Sequence, residues 1–182
     1  GRRRVAAGYA SVLLFFLVIQ NLAIPGAGDL TAHYNTHAAI LHAGGRTAEA
    51  LEFWKRSSAM NGAYSPFADL SLSDQHFLRG ELVQAMACLD RIPDRSFAAA
   101  RKYEKAGDIH MARKDFRAAV RAYEASLGIN SGQESVMGKL LRIYRRTDSE
   151  AAARMAARQA ELREWLGMPV GAAAAGRNGR RS

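Results

Sequence analysis

The chain has 182 residues, 48% of them hydrophobic, and a formal net charge of +9. This hydrophobic fraction excludes wholesale disorder, while one cysteine and four prolines exclude a disulfide-stapled miniprotein and a collagen-like chain. Because the central part of the chain is nearly charge-balanced, a nucleic-acid-binding protein is disfavoured and we expect no nucleic-acid partner. Two thirds of the excess positive charge comes from the ends of the chain, namely Arg2, Arg3, Arg4, Arg177, Arg180 and Arg181.

The N-terminal segment, residues 1–25, is predicted to be a transmembrane helix with a basic flank. Residues 5–24 contain no charged side chain, and a helix of about 20 residues spans the roughly 30 Å hydrocarbon core of a bilayer. The preceding arginines favour a cytoplasmic N terminus, with the rest of the chain extracytoplasmic, in the periplasm if the source is bacterial. A cleaved signal peptide and a buried core helix are the alternatives, and the length of the apolar run favours the anchor.

Residues 26–30 are predicted to form a short linker, and residues 31–168 are predicted to be helical throughout. In this helical region, apolar residues recur at spacings of three and four, which is the period of amphipathic helices. Glycines and polar clusters interrupt the pattern every 15–20 residues or so, which indicates helical hairpins. Residues 169–182 consist mainly of alanine, glycine and arginine and are predicted to be a disordered basic tail.

A period of about 34 residues runs through the helical region. The clearest unit, residues 103–131, resembles the tetratricopeptide repeat (TPR). That pattern places an aromatic and a small pair in the first helix of a hairpin, and an alanine followed by an aromatic in the second. His110 and Ser126 are mild departures from it. The positions that carry the resemblance are Tyr103, Ala106, Gly107, His110, Phe116, Ala119, Tyr123 and Ser126.

Three further copies extend the resemblance over most of residues 31–168. One copy lies two periods earlier, from Tyr34 to Ser57, and a weaker one follows it and is cut short by Pro93. The repeat register implies that two helices approach closely at the small residues Ala38, Ala50, Gly107 and Ala119, and that Trp54 and Tyr123 fill the space between hairpins. A degenerate last copy begins near Met137 and ends in a long helix around residues 152–166. The resemblance implies an all-α fold in which an N-terminal transmembrane helix precedes a TPR-like α-solenoid of three to four helical hairpins.

No catalytic residue, cofactor or metal site is expected in this chain. His33, His37 and His42 have a spacing that metal sites use, but His37 holds a packing position and no acidic residue completes a ligand set. Cys88 lies inside a predicted helix, where a buried thiol is usually inert. No glycine-rich phosphate loop, nucleophile elbow or zinc-binding motif occurs.

The last repeat is rich in arginine. A solvated helix face, partly balanced by Glu150, Glu161 and Glu164, is the favoured interpretation. A docking patch for an acidic partner or for anionic headgroups is the alternative. The arginines concerned are Arg142, Arg145, Arg146, Arg154, Arg158 and Arg163.

The TPR resemblance implies that a protein partner binds in a concave groove lined by the first helices of the hairpins. We therefore predict a membrane-anchored scaffold for protein–protein interaction or assembly of a membrane complex, with no small-molecule substrate. Because the chain starts with glycine, the alternative is the last span and TPR tail of a polytopic membrane glycosyltransferase, whose catalytic part lies upstream. By register, the groove residues are Asn35, His42, Leu70, Asp74, Phe77, Glu104, Asp108, Met111, Arg142 and Arg145.

Overall fold

A computed structural model describes residues 29–168, and every regular element in that range is an α-helix. The all-α prediction for this part of the chain is therefore confirmed. The eight helices are α1 (Leu30–Ala43), α2 (Thr47–Met60), α3 (Ser65–Leu78), α4 (Leu82–Asp90), α5 (Ala99–Ala112), α6 (Phe116–Ile129), α7 (Glu134–Thr147) and α8 (Ser149–Trp165).

None of the helices within residues 29–168 is long and apolar enough to cross a membrane. The span predicted over residues 5–24 lies outside the described residues, as do residues 26–28 of the predicted linker and the predicted tail from residue 169. At the start of the described range, Asp29 caps α1 by accepting a hydrogen bond from the Thr31 backbone N–H at 2.9 Å.

The chain divides into two compact units, Gly1–Ile92 and Pro93–Ser182. In the first unit α1 packs against α2, α2 against α3, and α3 against α4, while α3 also contacts α1. This is the arrangement of helical hairpins in which the first helix of one hairpin packs on the preceding hairpin. The predicted packing positions Ala38, Ala50 and Trp54 are all buried in the core of this unit.

An ion pair between a buried aspartate and an exposed arginine joins the end of the short helix α4 to α3. Asp69 of α3 is 4% exposed and accepts hydrogen bonds from Arg91 Nε at 2.9 Å and Arg91 Nη2 at 2.7 Å. It also accepts one from the Ser58 hydroxyl of α2, at 2.7 Å. Helix α4 ends at Asp90, shortly before Pro93, as the sequence predicts. The end of the first unit is therefore held by a polar contact in addition to its apolar core.

In the second unit α5 packs against α6, α6 against α7, and α7 against α8. Gly107 of α5 lies directly on the ring of Tyr123 of α6, and a Cβ atom at position 107 would overlap that ring. Only glycine permits this approach of the two helices without a shift. The predicted packing roles of Gly107, Ala119 and Tyr123 are therefore confirmed, since all three are buried.

The turns within three hairpins use the left-handed backbone conformation at equivalent places. Gly45 has φ +79° and Gly80 has φ +76°, and both lie between the two helices of a hairpin in the first unit. In the turn between α5 and α6 the equivalent residue is Lys114, with φ +61°. Glycine adopts this conformation without strain and a lysine does not.

Candidate partner-binding surfaces

The ten residues predicted to line a groove fall into two sets, five in each unit. The first unit holds Asn35 and His42 on α1 and Leu70, Asp74 and Phe77 on α3. The second unit holds Glu104, Asp108 and Met111 on α5 and Arg142 and Arg145 on α7.

In the first unit, most of the predicted residues make contacts inside the unit. The Asn35 amide donates to the Tyr64 carbonyl oxygen at 2.7 Å, which ties α1 to the start of α3. His42 lies with its Nδ1 3.2 Å from the Thr47 hydroxyl oxygen. Leu70 is 5% exposed and so contributes to the interior. Asp74 and Phe77 are half-buried and retain some accessible surface.

In the second unit, two predicted residues belong to a charged cluster centred on Lys139. The Lys139 ammonium donates to Glu104 Oε1 and to Asp108 Oδ2, both at 2.8 Å. The Tyr123 hydroxyl donates to the other oxygen of Asp108 at 2.6 Å. We call Glu104, Asp108, Tyr123 and Lys139 the Lys139 cluster. Lys139 was not predicted from the sequence. Its place in the repeat does not show that its ammonium group lies beside two acidic side chains of α5.

Within the Lys139 cluster, the pKa values of Lys139 and Tyr123 are raised. Burial by itself lowers the pKa of Lys139, but the hydrogen bonds to Asp108 and Glu104 outweigh it, so the pKa lies above its usual value. Burial and the hydrogen bond to Asp108 raise the pKa of the Tyr123 hydroxyl. The ammonium group therefore stays charged and the phenol stays neutral at physiological pH.

The two predicted arginines line a different feature, a pocket of about 380 Å³ between α7 and α8. Its walls combine small and apolar side chains with arginines. Sequence reasoning missed the small residues, although Ala156 and Ala160 are four apart and so share one face of α8. We call this pocket the α7–α8 groove. Its lining residues are Gly138, Leu141, Arg142, Arg145, Ala156, Gln159, Ala160 and Arg163.

The arginines of the α7–α8 groove differ in their pairing. Arg163 forms an ion pair with Glu134, with its Nε donating at 2.5 Å. Arg142 and Arg145 are exposed, and neither forms an ion pair within residues 29–168. Each guanidinium has five N–H donors in a planar fork suited to carboxylates and phosphates. The groove therefore presents positive charge that the described part of the chain does not neutralise.

Two observations bear on metal-ligating and nucleophilic side chains within residues 29–168. No group of three His, Cys, Asp or Glu side chains within residues 29–168 is placed to hold a metal ion. Cys88 is 5% exposed, and burial raises the pKa of its thiol, so little thiolate forms at neutral pH.

These helices and surfaces define an all-α helical repeat protein with a TPR-like fold. No protein-family model and no curated protein matches the chain. Among solved structures, the crystal structure of MamA, a TPR-like helical repeat protein, is similar, with a TM-score of 0.65 and 17% sequence identity. The alignment covers 91% of this chain and 95% of MamA. At this identity the likeness shows the fold alone. Neither the predicted anchoring nor the resemblance to glycosyltransferases is shown by it.

Proposed function

We propose that this chain is a protein-interaction scaffold that binds a partner protein through α5 and α7, the first helices of the hairpins in the second unit. The division of α7 into two sides is the observation that carries the proposal. Met137 and Leu140 are 1% and 0% exposed and belong to the core, whereas Arg142 and Arg145 are exposed. A helix that buries one side and presents unpaired charge on another has surface to offer a partner.

The Lys139 cluster supports the same proposal. Its side chains are already held in place, with those of Glu104 and Lys139 each 21% exposed. A partner that contacts them does not have to order them, which lowers the entropic cost of binding. The cluster has two acidic groups for one ammonium, and the neighbouring α7–α8 groove is basic. This alternation of charge would select partners by their own charge pattern.

The location of the scaffold remains part of the proposal. Anchoring by residues 5–24, with the repeats outside the cytoplasm, is supported by hydropathy and by the arginines that precede the segment. Assembly of a membrane complex would follow from such anchoring. The glycosyltransferase alternative gains no support from residues 29–168, and we do not propose it.

Site-specific photocrosslinking in cells that produce the full chain tests the proposal. The photoreactive amino acid benzoylphenylalanine replaces Ser135, which is exposed on α7 and 3.4 Å from Glu104. The matched control replaces Arg121, which is exposed on the second helix α6. We expect one discrete protein adduct from position 135 and none from position 121. Absence of an adduct at 135, or equal adducts from both positions, would contradict the proposal.

A further inference from the structure

The α7–α8 groove lies at the place where the hairpin α1–α2 carries another helix, α3. In the first unit, α3 packs on α2 and also contacts α1, and the Asn35 amide of α1 binds the chain at the start of α3. Met137 on α7 and Tyr34 on α1 are equivalent positions of the repeat. The residues that follow them, Gly138 and Asn35, are therefore also equivalent. On α7 that position lines an open pocket. The groove thus has the form of a seat for a helix.

The side chains of this seat specify what kind of helix fits it. Gly138, Ala156 and Ala160 are small, and with Leu141 they form a surface that allows a helix to approach closely. Arg142 and Arg145 lie on the same groove without ion-pair partners in the described range. A matching helix therefore needs an apolar stripe for the small residues and carboxylates beside it for the arginines.

The chain's own segments outside the described range do not match this chemistry. Residues 1–28 and 169–182 each contain three arginines and no Asp or Glu. Their charge has the same sign as the arginines of the groove, so association is disfavoured electrostatically. Charge complementarity thus favours an acidic helix from another protein.

We propose that the α7–α8 groove binds an amphipathic helix of a partner protein, with Asp or Glu side chains that form ion pairs with Arg142 and Arg145. This inference rests on the proposed function and names the chemistry of the partner. The helix α3, which fills the corresponding place in the first unit, has 14 residues, so a partner helix of similar length, about 21 Å, is expected.

Binding of two designed peptides to the full chain tests this inference. Both peptides are 16-residue amphipathic helices with one Leu/Ala stripe, and the flanking positions carry Glu in one and Lys in the other. The readout is fluorescence anisotropy of the labelled peptide. We expect the Glu peptide to bind, with affinity that falls as salt increases, and the Lys peptide to bind at least about tenfold more weakly. Equal binding of the two peptides would overturn the inference.

Two charge-reversal variants locate the binding site. In R142E/R145E the Glu peptide should lose about tenfold or more in affinity, and the Lys peptide should gain. R146E/R158E is the control, since it makes the same change of net charge at exposed positions of α7 and α8 that lie outside the groove. It should bind the Glu peptide within about twofold of the parent chain after allowance for long-range charge. Equal losses in both variants would place the peptide elsewhere. Circular dichroism checks that all four substitutions, each at an exposed position, leave the helices folded.

Crosslinking from inside the groove separates this inference from the proposed function. If benzoylphenylalanine at Ala160 gives the same adduct as at Ser135, both stand. If only position 135 gives an adduct, and the peptides do not bind, the scaffold function stands and the groove is not its site. If the adduct from Ala160 is a second copy of this chain, the assignment to a different partner protein is wrong.

Discussion

Ser57 and Ser126 occupy the same place in the two units and make the same hydrogen bond. The Ser57 hydroxyl of α2 donates to the Thr31 carbonyl oxygen of α1 at 3.3 Å. The Ser126 hydroxyl of α6 donates to the Ala100 carbonyl oxygen of α5 at 2.7 Å. Both side chains are fully buried. A position that the TPR pattern gives to alanine is therefore used in both units for a polar contact between the two helices of a hairpin.

Replacement of these serines by alanine should have unequal effects. Ser126 also accepts a hydrogen bond from Gln133 Nε2 at 2.9 Å, whereas the bond made by Ser57 is near the upper limit of useful distances. We expect S126A to lower the free energy of unfolding by about 1 kcal/mol and S57A by about half of that or less. Urea unfolding of each variant, followed by circular dichroism, measures the difference. A larger effect of S57A would contradict the geometric argument.

The contact between Gly107 and Tyr123 predicts a strong effect of a single methyl group. In G107A the new Cβ would overlap the buried ring of Tyr123, and relief of the overlap should cost about 1–3 kcal/mol of unfolding free energy. Gly128 of α6 is the matched control, because a Cβ there meets nothing within 4 Å. G128A should be neutral or stabilising by up to about 1 kcal/mol, since alanine has the higher helix propensity. Thermal unfolding of the two variants tests the pair.

The backbone of Lys114 offers a route to a more stable chain. Its φ of +61° is one that Gly45 and Gly80 adopt in the equivalent turns. K114G should therefore raise the free energy of unfolding by about 1 kcal/mol. This is the net result of two effects, because glycine relieves the backbone strain but also increases the entropy of the unfolded chain. The control R121G, within helix α6, should instead lower it by about 1 kcal/mol. A destabilised K114G variant would show that the turn carries no strain.

The Asp69–Arg91 pair should respond asymmetrically to loss of each partner. The side chain of Asp69 is 5% exposed and that of Arg91 is 49% exposed. Removal of the guanidinium in R91A leaves a buried charge without its partner, at a cost of about 3 kcal/mol. In D69N the arginine can turn to water, and about 1–2 kcal/mol should be lost. Urea unfolding of both variants at neutral pH provides the comparison. Greater damage by D69N would refute this explanation.

The second unit should lose stability in alkaline solution. The pKa values of Tyr123, Tyr144 and Lys139 are all raised in the folded chain, with burial the largest cause for the tyrosines and hydrogen bonds to Asp108 and Glu104 the cause for the lysine. In the unfolded chain a tyrosine titrates near 10.0 and a lysine near 10.5. Their contribution is therefore complete below pH 10 or so and is lost as the pH rises toward the folded pKa values.

Unfolding midpoints in urea at several pH values between 8 and 11 measure this dependence. Y123F removes one of the titrating groups, so its midpoint should fall less steeply with pH than that of the parent chain. Y144F, which removes the hydroxyl that donates to Glu124 at 2.5 Å, provides an independent check. An unchanged midpoint between pH 8 and pH 11 would show that these groups do not contribute.

The sequence predicts the helices well because the repeat pattern marks buried positions directly. The register of the TPR resemblance implies packing positions for Ala38, Trp54 and Tyr123 and a close helix contact at Gly107. Polar contacts could not be predicted in this way, since nothing in the spacing of Asp69 and Arg91 shows that their side chains meet. The partner-binding residues were predicted by register, which places Arg142 and Arg145 on an exposed face but does not show that small residues of α8 complete a groove beside them.

Within each unit the helices contact neighbours no more than two elements away along the chain. Contacts of such short sequence separation form quickly, and helical proteins of this kind fold in microseconds to milliseconds or so. A ribosome adds only about 5–20 residues per second. Once residues up to Ile92 have left the ribosome, the first unit has time to fold before the whole of the second unit has emerged. The folding pathway of this chain would then be set mainly by the order of translation. A search among alternative pairings of hairpins would contribute less.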